Sequence, residues 1–471
     1  MELTQLLANR AVSHACTYLA DIRERPVRAS LTGDDLRTAL GGALRREGED
    51  PIAVVDAIAE AGRKGTVASQ GPRYFGFVTG GSLPAAMVTD WLVSTWDQNA
   101  QVFVMSPIAA VVEQIVAGWL KEIFGLPAEW SVGFVTSAQM ANFTGLIAAR
   151  HELLRREGWD VESDGLFGAP PISVVVSDES HRTIATALRM LGLGAQRVQR
   201  VETDAHGRMR VDRLAQVLGD GRGPCIVCAQ VGNVNTGACD PIAAIAPLAG
   251  ERGAWLHVDG AFGMWAAASP SRRSLVAGIE QADSIATDGH KWLNVPYDSG
   301  IVLTAHPDAH QHALLAPAHY IQMTAGERDP RAFTPDESRR ARALPMYAAL
   351  RVLGRDGVRE MVDRCCTLAR RMAERLAAHD QVHVLNDVVL NQVLVQFRPQ
   401  GGDEAAAADL TQSVISRVQA EGTCWLGGTK WQGKTAMRVS ISNWSTTAED
   451  VDRSAAAILA ALEHEARNRP A

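Results

Sequence analysis

The feature that most constrains the fold is a series of short, almost continuously apolar segments that alternate with helical patterns between residues 75 and 310. These segments are 131–136, 172–177, 224–231, 254–259, 283–287 and 300–305. A strand that is apolar at successive positions is buried on both faces. Such strands separated by helices are typical of a mostly parallel sheet covered by helices. The sequence therefore predicts an α/β fold for this part of the chain.

The flanking parts of the chain have a different character. Residues 1–74 are helical in pattern and too few to form a core alone, whereas the chain after about residue 325 has a long amphipathic helical stretch followed by strands. A chain of 471 residues also exceeds what one core accommodates. We therefore expect an N-terminal helical segment (1–74), a large domain (75–325) and a small C-terminal α+β domain (326–471).

Composition and charge exclude several classes of protein. Hydrophobic residues make up 46% and charged residues 21%, as in a globular protein, and the formal charge of −7 gives no basic surface for nucleic acid or an anionic membrane. The N-terminus lacks the pattern of a signal peptide, and no apolar stretch is long enough to span a bilayer. We therefore expect a cytoplasmic protein with no nucleic-acid or membrane partner.

The cysteines and histidines favour neither disulfides nor a metal centre. Seven thinly spread cysteines fit reduced cytosolic thiols better than a disulfide framework. Cys225 and Cys228 have the spacing of a metal-binding pair, but they lie inside an apolar strand pattern that sends their side chains to opposite faces. The thirteen histidines form no metal-binding motif. We predict no metal site.

Two strand ends carry the strongest chemical signal. Asp259 ends one apolar segment, and His290, Lys291 and Trp292 follow another. Ligands of open α/β sheets bind at the carboxyl ends of the strands. A lysine there can condense with an aldehyde once desolvation lowers the pKa of its ammonium group, and a carboxylate can keep a pyridine nitrogen protonated. Either residue alone is typical of a solvated surface, but together they indicate an active site.

From about residue 70 to 350, and more loosely to the end, the chain resembles the group II decarboxylases that depend on pyridoxal 5′-phosphate (PLP). This family includes the aromatic amino acid and glutamate decarboxylases and has the fold type I, aspartate aminotransferase-like architecture. The resemblance implies that PLP forms a Schiff base with Lys291 in DGHKW. It also implies that Asp259 in HVDGAFG pairs with the pyridine nitrogen and that His181 in SDESHRT stacks on the ring.

Further cofactor contacts follow from the same resemblance. The turn that holds the phosphate in the family matches Thr136, Ser137, Ala138 and Gln139. Such a turn suits an anion because the N–H groups and the dipole of a helix N-terminus face it. Other expected contacts near the cofactor are Asn233, Asn235, Asp288 and His290. Gln139 stands where the family usually has a serine, and Asp288 stands where an asparagine is sometimes found.

The resemblance also implies how the reaction proceeds. Tyr320 matches a tyrosine on a mobile loop that reaches into the neighbouring subunit's site and returns a proton to the substrate carbon, so we expect a homodimer. The expected substrate-binding residues are Phe77, Thr79, Asn99, Gln101 and Arg438. Asn99 and Gln101 stand where the aromatic decarboxylases have larger apolar side chains, which favours a substrate with a polar side chain. Arg438 fits a carboxylate-binding role and a structural role equally well.

The catalytic residues that this resemblance implies are Lys291, Tyr320, His181 and Asp259. Together they predict a PLP-dependent carboxy-lyase of amino acid metabolism that acts on an L-amino acid. Decarboxylation linked to oxidative deamination, β-elimination and transamination remain alternatives, because the same scaffold supports all of them.

Overall fold

The computed structural model describes residues 1–219, 221–315, 324 and 326–468. Its α-helices are α1 (Glu2–Ala20), α2 (Gly33–Leu40), α3 (Pro51–Gly65), α4 (Pro84–Trp96), α5 (Pro107–Phe124), α6 (Ala138–Arg156), α7 (Val161–Asp164), α8 (Arg182–Met190), α9 (Val211–Gly219), α10 (Ile242–Glu251), α11 (Pro307–His312), α12 (Ala343–Ala377), α13 (Glu404–Glu421) and α14 (Ala448–Arg467). Short 3₁₀ helices cover Gly263–Ala268, Arg273–Val276, Ile279–Gln281 and Pro330–Phe333.

The strands are β1 (Ser131–Val135), β2 (Ser173–Ser177), β3 (Gln199–Val201), β4 (Cys225–Gln230), β5 (Trp255–Asp259), β6 (Ser284–Asp288), β7 (Gly300–Thr304), β8 (Val382–Val384), β9 (Gln392–Phe397), β10 (Gly427–Trp431) and β11 (Lys434–Ser440). Each apolar segment noted in the sequence contains a strand. β3 and β10 have no apolar run in the sequence and were not predicted, because they are short or largely exposed.

The chain divides into two compact units. The first comprises Met1–Thr79, Arg371–Val384 and Leu394–Ala471, and the second comprises Gly80–Arg370 and Leu385–Val393. The domain boundaries expected near residues 75 and 325 stay predictions.

The second unit is built on a seven-stranded sheet in the order β1-β7-β6-β5-β4-β2-β3. Neighbouring strands from β6 to β3 are parallel, and only β7 runs antiparallel to its neighbours β6 and β1 within the described residues. Every residue of β1, β4, β5, β6 and β7 is buried. Fully buried strands explain the continuous apolar runs, and the predicted α/β fold with a mostly parallel sheet is confirmed.

The core of this unit lies between the sheet and the helices that cover it. One cluster joins Trp255 of β5 to apolar side chains of β2, β4, α6 and α8, including Leu146, Val176, Leu188 and Ile226. The loop from β6 to β7 and the turn from β1 to α6 leave the sheet at the same edge, because β1 and β6 run in the same direction. This edge therefore collects the residues that follow both strands.

The first unit contains α1, α2, α3, α13 and α14, and most of a four-stranded sheet in the order β10-β11-β9-β8. Sequence-encoded caps fix the starts of two of its helices. Thr32 and Asp35 form a capping box on α2, and Thr447 and Asp450 form one on α14. Each box satisfies backbone N–H groups that the first turn leaves unpaired. The small α+β region expected at the C-terminal end is thus present.

Candidate active site

The candidate active site lies at the carboxyl edge of the seven-stranded sheet. Asp259 is the last residue of β5 and Asp288 the last residue of β6, and these two strands are parallel neighbours. Lys291 follows in the loop between β6 and β7, and α6 begins directly after β1 at the same edge. Because one edge collects all these strand ends, residues 120 or more apart in sequence come together there.

Lys291 is held by a buried carboxylate. Its Nζ lies 3.1 Å from Oδ2 of Asp288, and the lysine side chain is 21% exposed whereas that of Asp288 is 2% exposed. Nε2 of His290 lies 3.5 Å from the same oxygen, and burial lowers the pKa of this imidazole. A buried carboxylate needs such partners, because desolvation without them is costly.

Asp288 also connects the lysine to the start of α6. The backbone N–H of Ala138 donates to Oδ1 of Asp288 at 2.5 Å, and Oγ of Ser137 accepts from the N–H of Met140 at 3.4 Å as the N-cap. β7 can pass this turn only because residue 300 is glycine, since a Cβ there would lie 2.4–2.6 Å from backbone atoms of Ser137. The N-terminus of α6 thus faces the site and binds an anionic oxygen.

Asp259 lies on the neighbouring strand, 6% exposed. Its Oδ2 accepts from Nδ2 of Asn142 at 3.0 Å, and its Oδ1 accepts from the backbone N–H of Ala261 at 3.1 Å. Oδ1 of Asn142 in turn lies 2.9 Å from Nε2 of His257, a histidine whose pKa burial lowers to about 4. The carboxylate is therefore fixed from both sides.

His181 forms the N-cap of α8 and is partly buried. Its Nδ1 lies 2.8 Å from Oγ1 of Thr183, and the same hydroxyl accepts from Nδ2 of Asn142 at 3.2 Å. A capping role is the ordinary explanation for a histidine at such a position, and the structure contains that cap. The link through Thr183 and Asn142 also connects His181 to Asp259.

The loop after β4 is held by its own side chains. Oδ1 of Asn233 accepts from the N–H groups of Asn235 and Thr236 at 2.9 and 3.1 Å, and Nδ2 of Asn233 donates to the carbonyl of Glu179 at 3.3 Å. Asn233 is fully buried and Asn235 is 8% exposed. These bonds fix the loop beside the turn before His181, and direct contacts of Asn233 and Asn235 with a cofactor stay predictions.

The expected substrate-binding residues fall in different places. In the second unit, Oδ1 of Asn99 accepts from the backbone N–H of Arg339 at 3.1 Å, and Nε2 of Gln101 donates to the carboxylate of Glu337. In the first unit, Phe77 is 64% exposed with a φ of 53°, and Thr79 is buried. A positive φ at a bulky residue is strained, as is common at functional sites.

Two other predicted residues need separate mention. Arg438 lies on β11 of the first unit, opposite Gly427 of β10, and burial lowers the pKa of its guanidinium. Tyr320 lies outside the described residues, so its expected role stays a prediction.

Sequence reasoning missed four polar residues behind the site: Asn142, Thr183, His257 and Ser284. Two of them left a signal in the sequence. His257 precedes Asp259 by two residues on one strand, which places both side chains on the same face. Asn142 is an amide flanked by the apolar residues Ala141 and Phe143 on α6, and the fully buried amide needs partners.

Comparison with known proteins decides the family. Residues 36–399 match the model of the pyridoxal-dependent decarboxylase conserved domain. The chain belongs to the pyridoxal-dependent decarboxylase family. It is 27% identical to an aromatic-L-amino-acid decarboxylase of Bacillus atrophaeus, with 94% of this chain and 92% of the relative aligned. It is 29% identical to an L-2,4-diaminobutyrate decarboxylase of Rhizobium meliloti, with 78% and 73% aligned.

The fold agrees with this family. The crystal structure of Oryza sativa TDC with PLP and tryptamine superposes with a TM-score of 0.92, at 22% identity and with 98% of both chains covered. The predicted fold type I architecture, the PLP cofactor and the carboxy-lyase class are thereby confirmed. No helix in the described ranges is both long and apolar enough to cross a membrane.

The side chains at the sheet edge fit PLP. The site offers an amine on Lys291 and a buried carboxylate on Asp259. A helix N-terminus offers N–H groups to a phosphate. The backbone N–H of Ala138 already donates to a carboxylate oxygen of Asp288, so this turn can bind a negatively charged oxygen. One feature opposes the fit, because a phosphate at the turn would lie close to the carboxylate of Asp288 and would be repelled by it.

Proposed function

We propose that this enzyme removes the α-carboxyl group of an L-amino acid with a polar side chain, using PLP attached to Lys291. The observation that carries the proposal is the convergence of Lys291, Asp259 and the N-terminus of α6 at one sheet edge. Bound PLP supplies an electron sink that accepts the electron pair left when CO₂ departs.

Each residue of the site has a proposed task. Asp288 orients Nζ of Lys291, and Thr136, Ser137, Ala138 and Gln139 bind the phosphate. Asp259 holds a proton at the pyridine nitrogen, and His181 lies against the ring. Burial supports these roles, since a carboxylate that is 6% exposed interacts more strongly with a nearby positive charge than a solvated one does.

We further propose that Tyr320 returns a proton to the substrate carbon after CO₂ leaves. The support is its position in the sequence relative to Lys291, in a polar segment that contains glycine. Replacing Tyr320 with phenylalanine should slow amine release while leaving PLP attachment intact. Amine release at the wild-type rate would assign the proton donor elsewhere.

The proposal that the substrate has a polar side chain is supported by Asn99 and Gln101. Both are partly buried, and each uses one of its two polar atoms to bind the segment around Arg339. The other amide atom of each side chain is suited to hydrogen-bond a substrate. Among the relatives, one acts by its name on aromatic amino acids and another on L-2,4-diaminobutyrate, so the family accommodates both kinds of side chain.

Two further proposals concern the oligomeric state and the cellular location of the enzyme. A homodimer is supported by large apolar side chains of α4 and α5 that are exposed in the single chain, namely Val88, Trp91, Leu92, Trp96, Ile108, Val111 and Ile115. On each helix these side chains recur three or four residues apart, so each helix exposes an apolar face, as helices at a subunit interface do. A cytoplasmic location is supported by seven cysteines that are all free thiols, six of them buried.

The experiment is a product balance on a panel of aromatic, acidic, basic and neutral polar amino acids. CO₂, amine, ammonia, hydrogen peroxide and keto acid are measured together, with Lys291→Ala as the blank. Equal amounts of CO₂ and amine from a polar substrate support the proposal. Turnover of aromatic substrates alone would refute the polar pocket, and ammonia with peroxide or keto acid in place of amine would refute simple decarboxylation.

A further inference from the structure

A chain of hydrogen bonds between buried side chains ends on Asp259. Nε1 of Trp255 donates to Oγ of Ser284 at 2.8 Å, and this oxygen lies 2.8 Å from Nδ1 of His257. Nε2 of His257 lies 2.9 Å from Oδ1 of Asn142, and Nδ2 of Asn142 donates to Oδ2 of Asp259 at 3.0 Å. Trp255, Ser284, His257 and Asn142 are each no more than 1% exposed.

The carboxylate of Asp259 and the neutral imidazole of His257 together fix the direction of these bonds. A carboxylate only accepts, so Nδ2 of Asn142 faces Asp259 and Oδ1 of Asn142 accepts from Nε2–H of His257. Burial lowers the pKa of His257 to about 4, so at neutral pH the imidazole carries its one proton on Nε2. The hydroxyl of Ser284 therefore donates to Nδ1 of His257 and accepts from Nε1–H of Trp255. The orientation of the Asn142 amide follows from the same argument.

The chain branches at Asn142 toward the second residue expected at the cofactor ring. Nδ2 of Asn142 also donates to Oγ1 of Thr183 at 3.2 Å, and Oγ1 of Thr183 lies 2.8 Å from Nδ1 of His181. The backbone N–H of Thr183 faces the same nitrogen at 3.4 Å, so Nδ1 of His181 accepts. The amide of Asn142 thus contacts Asp259, which is predicted to pair with the ring nitrogen. Through Thr183 it is also linked to His181, which is predicted to stack on the ring.

Packing holds this network in place. A Cβ at position 145 would lie 3.0 Å from the imidazole of His257 and 3.1 Å from Oγ of Ser284, so a side chain there would crowd both residues. A buried amide or imidazole is costly to desolvate unless each polar atom has a partner. Apolar residues would fill this space at lower cost, and the satisfied network therefore points to a purpose other than stability alone.

We propose that Asn142 and His257 are positioning residues for the PLP ring. Asn142 aims the carboxylate of Asp259 at the pyridine nitrogen and sets Nδ1 of His181 as an acceptor, and His257 fixes the orientation of the Asn142 amide. The inference rests on the proposed placement of Asp259 and His181 at the ring, and it does not depend on the substrate or on the bond that is broken.

The test uses PLP labelled with ¹⁵N at the pyridine nitrogen, whose chemical shift reports protonation. Asn142→Leu and His257→Phe should move the signal toward the unprotonated form. Asn142→Leu should also raise the Kd of PLP about tenfold to a hundredfold, the effect of losing one hydrogen bond to a charged group, and His257→Phe should raise it less because it loses a bond to the neutral amide of Asn142. Thr144→Val is the matched control, since it removes a fully buried hydroxyl of α6 whose partner within the described part of the chain is the carbonyl of Met140.

The outcomes separate three possibilities. A shifted ¹⁵N signal in Asn142→Leu and His257→Phe, but not in Thr144→Val, supports the proposal. A wild-type signal in both variants, with stability lost as in the control, overturns it. If Asn142→Leu does not fold, Ser284→Ala decides, with a smaller shift in the same direction expected and an unchanged signal counting against the network. Asp259→Asn is the reference, because an unchanged signal there would refute the placement of Asp259 itself.

Discussion

The two ends of the candidate site differ in how they hold charge. At the end that contains Asp259, the carboxylate is held by the neutral amide of Asn142, and that amide is held by His257, whose pKa burial lowers to about 4. At the end that contains Lys291, the side chains of Lys291 and His290 each lie within 3.5 Å of the carboxylate of Asp288. We call these the ring end and the lysine end.

The difference matches two kinds of task. A preorganised carboxylate stabilises charge on a cofactor without rearrangement, and the fixed hydrogen bonds at the ring end provide that. At the lysine end the charge must change during the reaction. The ammonium group of Lys291 pairs with the carboxylate of Asp288, and this ion pair is altered when the nitrogen of Lys291 binds the cofactor. Substitutions at the ring end should therefore alter the electronics of the site, and those at the lysine end should alter binding and attachment.

The largest effect is expected at the lysine end. Lys291→Ala should abolish covalent attachment, so that borohydride reduction no longer traps PLP on the chain, as mass spectrometry of peptides would show. Lys121→Ala is the matched control, because Lys121 lies on α5 and donates to the carbonyl of Trp130 at 3.1 Å. A label on a lysine other than Lys291 in the wild type would contradict the assignment.

The next effect tests the ring end. Asp259→Asn should lower kcat by roughly a hundredfold or more, because it removes charge stabilisation in a buried site. Asp283→Asn is the control, since Asp283 precedes β6 at the opposite edge of the sheet and holds the N–H of Leu256. A near-normal kcat for folded Asp259→Asn, or an equal loss of kcat in Asp283→Asn, would mean that Asp259 does not stabilise charge on the cofactor.

The sequence identified the end-of-strand residues but not the network behind them. Lys291 and Asp259 could be predicted because buried parallel strands have a clear apolar pattern and their carboxyl ends share one edge. Asn142 could not, because its contact with Asp259 depends on how closely α6 packs on β5, where a Cβ at position 145 would crowd His257. Asn99 and Gln101 bind the segment around residues 337–339, and no local pattern encodes that contact.

Acid should destabilise the ring end in the protein without cofactor. Burial lowers the pKa of His257 from 6.5 to about 4, so between these values the unfolded state binds more protons than the folded state. Stability from this group is therefore complete above about pH 6.5 and is lost as the pH falls toward 4, by about 2 kcal/mol between pH 7 and 5.

Urea unfolding at several pH values measures this dependence. His257→Phe should flatten the curve by the contribution of one group, although its stability at pH 7 is also lower. His310→Gln is the comparison away from the site, because burial lowers the pKa of His310 to about 3 and its loss should flatten the curve in the same direction. Asp240, whose pKa burial raises to about 7, acts in the opposite direction and is common to all three proteins. An unchanged slope in His257→Phe would mean that His257 is charged in the folded state.

The smallest effect concerns the carboxylate of Asp288. The carboxylate accepts from Ala138 at the start of α6, where the phosphate is proposed to bind, and so opposes a second negative charge. Asp288→Asn keeps an oxygen for this N–H but removes the repulsion. We therefore expect the Kd of inorganic phosphate, measured by calorimetry on protein freed of PLP, to fall by about threefold to tenfold, or up to about 1.4 kcal/mol. Asp283→Asn should leave the Kd unchanged. Weaker phosphate binding by Asp288→Asn would mean that the charge of Asp288 stabilises the conformation of the turn that binds phosphate and does not repel the phosphate. The lysine end would then be as preorganised as the ring end.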